Sequence, residues 1–172
     1  CPFPIIPSHT TYRPFDGKLH LFIGINKMRN RYKGTDIMLK AAQKIVENYP
    51  EKADLQVAES VPFEDYVKMM AKSDVILDQL YSYTPSMNPL EAMNQGLICV
   101  GGGEPENYDI INEHELRPII NVELNESSVY QALYELILHP ERINTLKRES
   151  MAYIKRHHDY INVAQKYIAF YE

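Results

Sequence analysis

Short apolar runs alternating with stretches of helical period restrict this chain to very few folds. Lys18 to Ile23, Asp54 to Ala58, Asp74 to Leu80 and Leu97 to Val100 are apolar segments of strand length, and the segments between them are amphipathic at helical spacing. Met38, Ala41, Ala42 and Ile45 repeat at i, i+3, i+4 and i+7, and the helix they imply ends near Tyr49-Pro50, where proline restricts the preceding residue. Pro62 opens a second helix, with Glu64 and Asp65 in its first turn and Phe63, Tyr66, Val67 and Met70 on one face. Asn88 to Gln95 forms a third, with Gly96 at its C-cap. Strands and helices in this order predict an α/β, Rossmann-like open parallel sheet with helices on both faces. A last strand near Pro118 to Val122 brings the sheet to about five. Beyond it the chain reads as helical. Val129, Leu133, Leu136 and Ile137 mark one helix, Pro140 begins another, and Ile161, Ala164, Ile168 and Tyr171 mark a terminal one.

With 172 residues and 45% hydrophobic content the chain suffices for one domain with a substantial core. Residues 17–172 read as that domain. The stretch 1–16 opens Cys1-Pro2-Phe3-Pro4-Ile5-Ile6-Pro7, favours extended geometry, and reads as an interdomain linker in a longer protein. A formal net charge of −5 argues against a broad nucleic-acid surface. Two cysteines, Cys1 and Cys99, give no disulfide framework and fit a reducing cytoplasm. No apolar stretch reaches the roughly 20 residues that span a bilayer.

Two segments carry the functional signal. The first, Pro85-Ser86-Met87-Asn88-Pro89-Leu90-Glu91-Ala92-Met93-Asn94-Gln95-Gly96, is a helix start directly behind an apolar strand. Helix N-termini present unpaired N–H groups and partial positive charge, which suit a diphosphate. Glu91, one turn in, is placed to accept hydrogen bonds from ribose hydroxyls. The same features also serve ordinary capping. The second segment, Gly24 to Asp36, puts four cations, Lys27, Arg29, Arg31 and Lys33, between a strand end and a helix. Open α/β sheets bind ligands at such strand ends, and a polyanion is the natural partner for those cations.

Other constellations carry less. Gly101-Gly102-Gly103-Glu104 lacks P-loop spacing and reads as a strand exit. His157-His158-Asp159 has no third ligand at useful spacing, so no metal site is expected. His20, His114 and His139 form no triad. Among thirteen tyrosines, most of which ordinary core packing explains, Tyr153, Tyr160, Tyr167 and Tyr171 near the end also read as contacts to a further domain.

Taken in order, the Gly24 loop with Lys33-Gly34-Thr35-Asp36, the Ser73-Asp74-Val75 strand, Leu90-Glu91-Ala92-Met93 with Gly96-Leu97, and the closing helix Val163 to Tyr171 resemble the C-terminal, donor-binding domain of GT-B-fold glycosyltransferases of group 1, also called family four. The resemblance implies transfer of a sugar from a nucleoside diphosphate sugar to an acceptor, with retained anomeric configuration and no bound metal or other cofactor. It implies that Lys33, with Lys27 or Arg29, contacts the diphosphate, and that Gly24 borders it. The amides of Ser86, Met87 and Asn88 hold the phosphates, Glu91 contacts the ribose, and Ser60 and Val61 neighbour the base. Lys33 and Glu91 are the expected catalytic residues. Tyr83 stands where the family carries a first glutamate, seven residues before the second, a departure that bears on the sugar recognised or on the efficiency of transfer. The acceptor is expected to sit mainly on a missing N-terminal domain, so the isolated chain is expected to be inactive. The family further implies cell-envelope or polysaccharide biosynthesis in the cytoplasm, extending to peripheral contact with the inner membrane face. A sugar-nucleotide epimerase and a non-catalytic nucleotide-binding or interaction domain are the alternatives.

Overall fold

The computed structural model describes residues 4–8, 11–25, 34–77, 87–101, 103–123 and 125–171. Strand β1 (Leu19–Ile25) leads to α1 (Thr35–Asn48), β2 (Ala53–Glu59), α2 (Phe63–Ala71), β3 (Val75–Leu77), α3 (Met87–Asn94), β4 (Ile98–Val100) and α4 (Pro105–Ile110). The helices α5 (Glu126–Leu138), α6 (Ile143–His157) and α7 (Tyr160–Tyr171) follow. All four strands are parallel in the order β2-β1-β3-β4. The chain therefore moves outward from β1 to β2, then crosses back over β1 to β3. That reversal creates a switch point between the C-terminal ends of β1 and β3, where adjacent connections leave on opposite faces of the sheet.

The expected helices form because their apolar stripes have a sheet face to cover. Leu19, Leu21 and Ile23 pack with Met38, Ala41, Ala42 and Ile45 of α1 and Leu133 and Leu136 of α5. Phe22, Ile76 and Cys99 pack on the other face with Met70 of α2, Leu90 and Met93 of α3, and Tyr153 and Ile154 of α6. Each fully buried aliphatic side chain contributes roughly 1.5–3 kcal/mol, so the two layers hold the strand ends that carry the site.

Four expectations change. The strand near Pro118 to Val122 reduces to a single bridge, Ile120 beside Val100, so the sheet has four strands among the described residues rather than about five. Its hydrogen bonds are Ile120 N to Cys99 O at 2.9 Å and Gly101 N to Ile120 O at 2.8 Å. Pro118 has no N–H to extend the ladder, and β4 offers only three residues to pair with. Pro140 opens a 3₁₀ turn, Pro140–Arg142, that leads into α6 rather than a helix of its own. In α7 the stripe read from Ile161, Ala164, Ile168 and Tyr171 faces outward, and Val163 is the buried residue. This helix is apolar on more than one side, and periodicity alone does not say which side finds a partner. Tyr153 is fully buried and not part of an exposed tyrosine group. Its hydroxyl accepts from Asn107 Nδ2 at 3.2 Å, and burial pushes its pKa up to about 12.

The leading segment is sewn to the domain. Ile5 is buried, its N–H donates to His158 O at 2.6 Å, and its carbonyl accepts from Tyr160 N at 3.0 Å. Ser8 N donates to Asn94 Oδ1 at 2.9 Å, while Asn94 Nδ2 donates to Ile6 O at 2.8 Å. Further along, Arg13 Nη2 donates to Asp74 Oδ1 at 2.8 Å. Asp74, at the base of β3 and without solvent exposure, also accepts from Lys147 Nζ and, at 2.9 Å, from the His20 N–H. Burial pushes the Lys147 amine below its usual value, and the Asp74 carboxylate partly restores it. This cluster ties the N-terminal segment, the centre of the sheet and α6 together at the end opposite the switch point.

Candidate functional site

The C-terminal ends of β1 and β3 are adjacent, with Ile23 beside Leu77. On the other side of β1, Gly24 lies beside Ala58 and Ile25 beside Glu59. Ser60, the next residue of the chain, turns out of the sheet with φ 53°. Ser60 and Val61 are exposed, and Pro62 caps the start of α2. The sheet thus places Gly24 beside Ala58, which lies more than thirty positions further along the sequence and two before Ser60. No local sequence signal shows this; it follows from the parallel register.

Two helices begin at this end of the sheet. Gly34 caps α1 in the left-handed region, φ 66°, with no side-chain hydrogen bond, so its turn depends on glycine. The first helical turn leaves amides without intrahelical partners, and Thr35, behind them, is buried. From β3 the chain reaches α3, whose first residues are Met87 and Asn88 with Pro89 third. Proline at this position removes a donor that has no intrahelical acceptor. Leu90, Ala92 and Met93 turn into the core, which leaves Glu91 on the solvent side. The Glu91 carboxylate is therefore exposed and free of core packing. Lys27, Arg29, Arg31, Lys33, Tyr83 and Ser86 lie outside the described residues, as do the side chains of Met87 and Asn88.

One neighbour of the site is not legible in the sequence. Tyr66, read as part of the apolar face of α2, has its ring edge against Gly24. A Cβ added at Gly24 would lie 3.1 Å from Tyr66 Cε2 and 3.4 Å from its hydroxyl oxygen. Only the tertiary approach of α2 to β1 reveals the pair.

Elsewhere the titratable clusters are structural. Glu113 is buried and accepts from Arg156 Nη1 at 2.6 Å and from His157 Nε2 at 2.9 Å. The His157 and Arg156 hydrogen bonds hold its carboxyl down at about 2. His20 donates from Nδ1 to Asp54 at 2.8 Å and from Nε2 to Asp16 at 2.9 Å. Among the described residues no three metal-ligating side chains converge, and no helix is long and apolar enough to cross a membrane.

The C-terminal domain of LpcC, a glycosyl transferase group 1 family protein from Francisella tularensis, has the same fold, with a TM-score of 0.61 at 16% identity over 91% of this chain and 95% of that one. S. aureus TarM, crystallised as its G117R mutant with fondaparinux, α-GlcNAc-glycerol and UDP, matches with a TM-score of 0.69 at 10% identity over 97% of this chain and 38% of TarM. Anabaena HepE in complex with UDP matches with a TM-score of 0.63 at 11% identity over 90% of this chain and 48% of HepE. The chain thus spans less than half the length of TarM and of HepE. A search of curated protein sequences found no significant match. Residues 25–134, more than half of the chain, match the model of the WsaF C-terminal domain, and the chain belongs to that family.

Proposed function

We propose that the chain is the donor-binding domain of a glycosyltransferase, which moves a sugar from a nucleoside diphosphate to an acceptor held by a second domain. The observation that carries this reading is the β1/β3 switch point, where β1 leads on to α1 and β3 to α3 from the same end of the sheet. TarM and HepE, folds of the same kind seen with UDP, support it.

In this reading the N-terminal amides of α3, with Lys33 and either Lys27 or Arg29, neutralise the diphosphate. Glu91 accepts from the ribose hydroxyls, and Ser60 and Val61 border the base. As the bond between the anomeric carbon and the diphosphate oxygen breaks, negative charge grows on the leaving group. Donors already aimed at that charge lower the barrier, by roughly 3–4 kcal/mol for a single well-placed one in other enzymes. The acceptor hydroxyl forms the new bond on the face the diphosphate leaves, and its proton passes to the departing diphosphate, so configuration is retained. The cations and amides supply the charge compensation without a metal. Tyr83, in place of the family's first glutamate, distinguishes the sugar taken by this domain.

The exposed side of α7, with Ile161, Ile168, Phe170 and Tyr171, packs against the acceptor domain in the whole enzyme. That enzyme works in the cytoplasm on a cell-envelope or polysaccharide acceptor, with peripheral contact at the membrane face.

Calorimetric titration with UDP, GDP and ADP tests the reading. One of them is expected to bind, and failure of all three at millimolar concentration would refute it. In the whole enzyme, donor is expected to be consumed only with an acceptor or water; release of an altered free sugar nucleotide would mark an epimerase instead.

A further inference from the structure

The end of the sheet opposite the switch point carries a cavity of about 250 Å³. Its walls include Thr11 and Arg13 of the leading segment, Ser73 just before β3, Gln95 just after α3, and Lys147 of α6. That volume lies below the roughly 300–1,000 Å³ of pockets that take drug-sized molecules, so it suits a ligand of few atoms.

The acceptors around this cavity are already spent. Asp74 Oδ1 accepts from Arg13 Nη2 and Lys147 Nζ, and Oδ2 accepts from the His20 N–H. Helices α2 and α3 both end here, but Met69 O accepts from Lys72 N and Ser73 Oγ, and Met70 O from Ser73 N. Likewise Met93 O accepts from Gly96 N and Ala92 O from Leu97 N. The surplus lies in donors and in positive charge. One buried carboxylate, Asp74, serves two cations, and the Lys147 side chain is only 1% exposed. The Arg13 guanidinium has five N–H groups. Its Nη2 donates to Asp74 at 2.8 Å, Nη1 meets Asp16 only at 3.4 Å, and Nε, closed to solvent, has no partner among the described residues. Asp16 is half exposed and is held at 2.9 Å by His20, so it offsets little of this charge. Gln95 brings an amide donor and Thr11 a hydroxyl. Cations left short of a counter-ion in a cavity are costly, and an anion seated there relieves that cost.

We propose that this cavity binds a small phosphate oxyanion, free or as a phosphomonoester, held by the Arg13 guanidinium with Thr11 and Gln95, in front of the buried Lys147 charge. The planar fork of arginine matches the tetrahedral oxyanion. The site lies at the other end of the sheet from the donor crevice and stands independently of the reading of that crevice. Thr11 and Arg13 belong to the segment that enters the domain, and Gln95 belongs to the body of the fold. A bound phosphate therefore fastens the entering segment to the base of the sheet.

The test is calorimetric titration of inorganic phosphate, at constant ionic strength, into the wild-type chain, Arg13→Gln, Gln95→Leu and Lys33→Ala. Wild type is expected to bind at millimolar concentration. Arg13→Gln is expected to weaken phosphate about tenfold, the loss typical of a hydrogen bond between charged groups. Because Arg13 also pairs with Asp74, that variant loses stability as well. Gln95→Leu lies outside the ion cluster and is expected to weaken phosphate about threefold at unchanged melting temperature. Lys33→Ala, the donor-site variant, is expected to leave the cavity's affinity unchanged. Absence of phosphate binding in wild type, unchanged affinity in both Arg13→Gln and Gln95→Leu, or a loss confined to Lys33→Ala overturns the proposal. Glycerol phosphate in place of inorganic phosphate separates the two sources of the ligand: retained affinity that Arg13→Gln weakens supports a phosphomonoester, and lost affinity supports the free ion. Failure of UDP, GDP and ADP to bind while phosphate binds removes the donor site and leaves this one standing.

Discussion

Asp74→Ala is the most searching perturbation of the fold, because it removes a carboxylate on which three separate parts of the chain converge. The side chain has no solvent exposure and accepts from Arg13, Lys147 and the His20 amide. Lys147 is itself 1% exposed. Its remaining polar contact is to the Arg13 carbonyl at 2.8 Å, so the substitution leaves a buried ammonium without a counter-ion. Breaking a buried pair in this way costs about 3–5 kcal/mol, most of it the stranded charge and not the lost attraction. For a domain of this size that lowers the melting temperature by on the order of 10 °C. Urea unfolding monitored by circular dichroism reads the change as a lower midpoint at constant slope. The mechanism makes a second, sharper demand. Adding Lys147→Met to Asp74→Ala removes the stranded charge, so the double variant is expected to regain about 1–2 kcal/mol relative to the single one. Since Asp74 lies at the base of β3, UDP affinity below the unfolding transition is expected to stay within about twofold of wild type. A loss under about 1 kcal/mol in Asp74→Ala, or a double variant as unstable as the sum of the singles, would refute the account.

Glu91→Ala is expected to weaken UDP about tenfold while leaving stability within about 0.5 kcal/mol, because the side chain is exposed and packs against nothing in the core; a matched fall in stability would contradict its placement. Gly96→Ala combines φ 91° with a new Cβ only 2.3 Å from Tyr12 Cβ, so urea unfolding should show a loss of about 3 kcal/mol. Burial lowers the His20 pKa, but hydrogen bonds to Asp16 and Asp54 outweigh it and leave the value raised. A raised folded value means that the imidazolium contributes its full stability below the unfolded value of about 6.5, and that this is lost as pH rises through the folded one. The stability gap between wild type and His20→Gln, measured by urea unfolding, should therefore shrink from pH 6 toward pH 9. Asp16 behaves oppositely. Its hydrogen bonds from His20 and Lys18 hold it near 2, so its contribution is present above the usual carboxylate value and disappears as pH falls toward 2.

Much of this architecture was readable from the residues. The stripe Met38, Ala41, Ala42 and Ile45 is buried as its period demands, and Tyr49 ends α1 just before Pro50. Glu91 stands exposed between buried Leu90 and Ala92, as expected for a helix with one face in the core. These features depend on residues within a turn or two of one another, where backbone geometry and solvent polarity leave few choices. The outward face of α7 and the single bridge at Ile120 were not readable, because each depends on what lies alongside in space.

Period, caps and short apolar runs in the chain alone determined that strands and helices alternate and that two helix starts stand behind strand ends. Only the folded chain decided that β3 crosses β1 to create the switch point, that Tyr66 closes over Gly24, and that Arg13, Asp74 and Lys147 meet in one buried cluster. Those pairings join residues 42 to 134 positions apart. At such separations local propensity is silent, and packing of whole elements selects the partner.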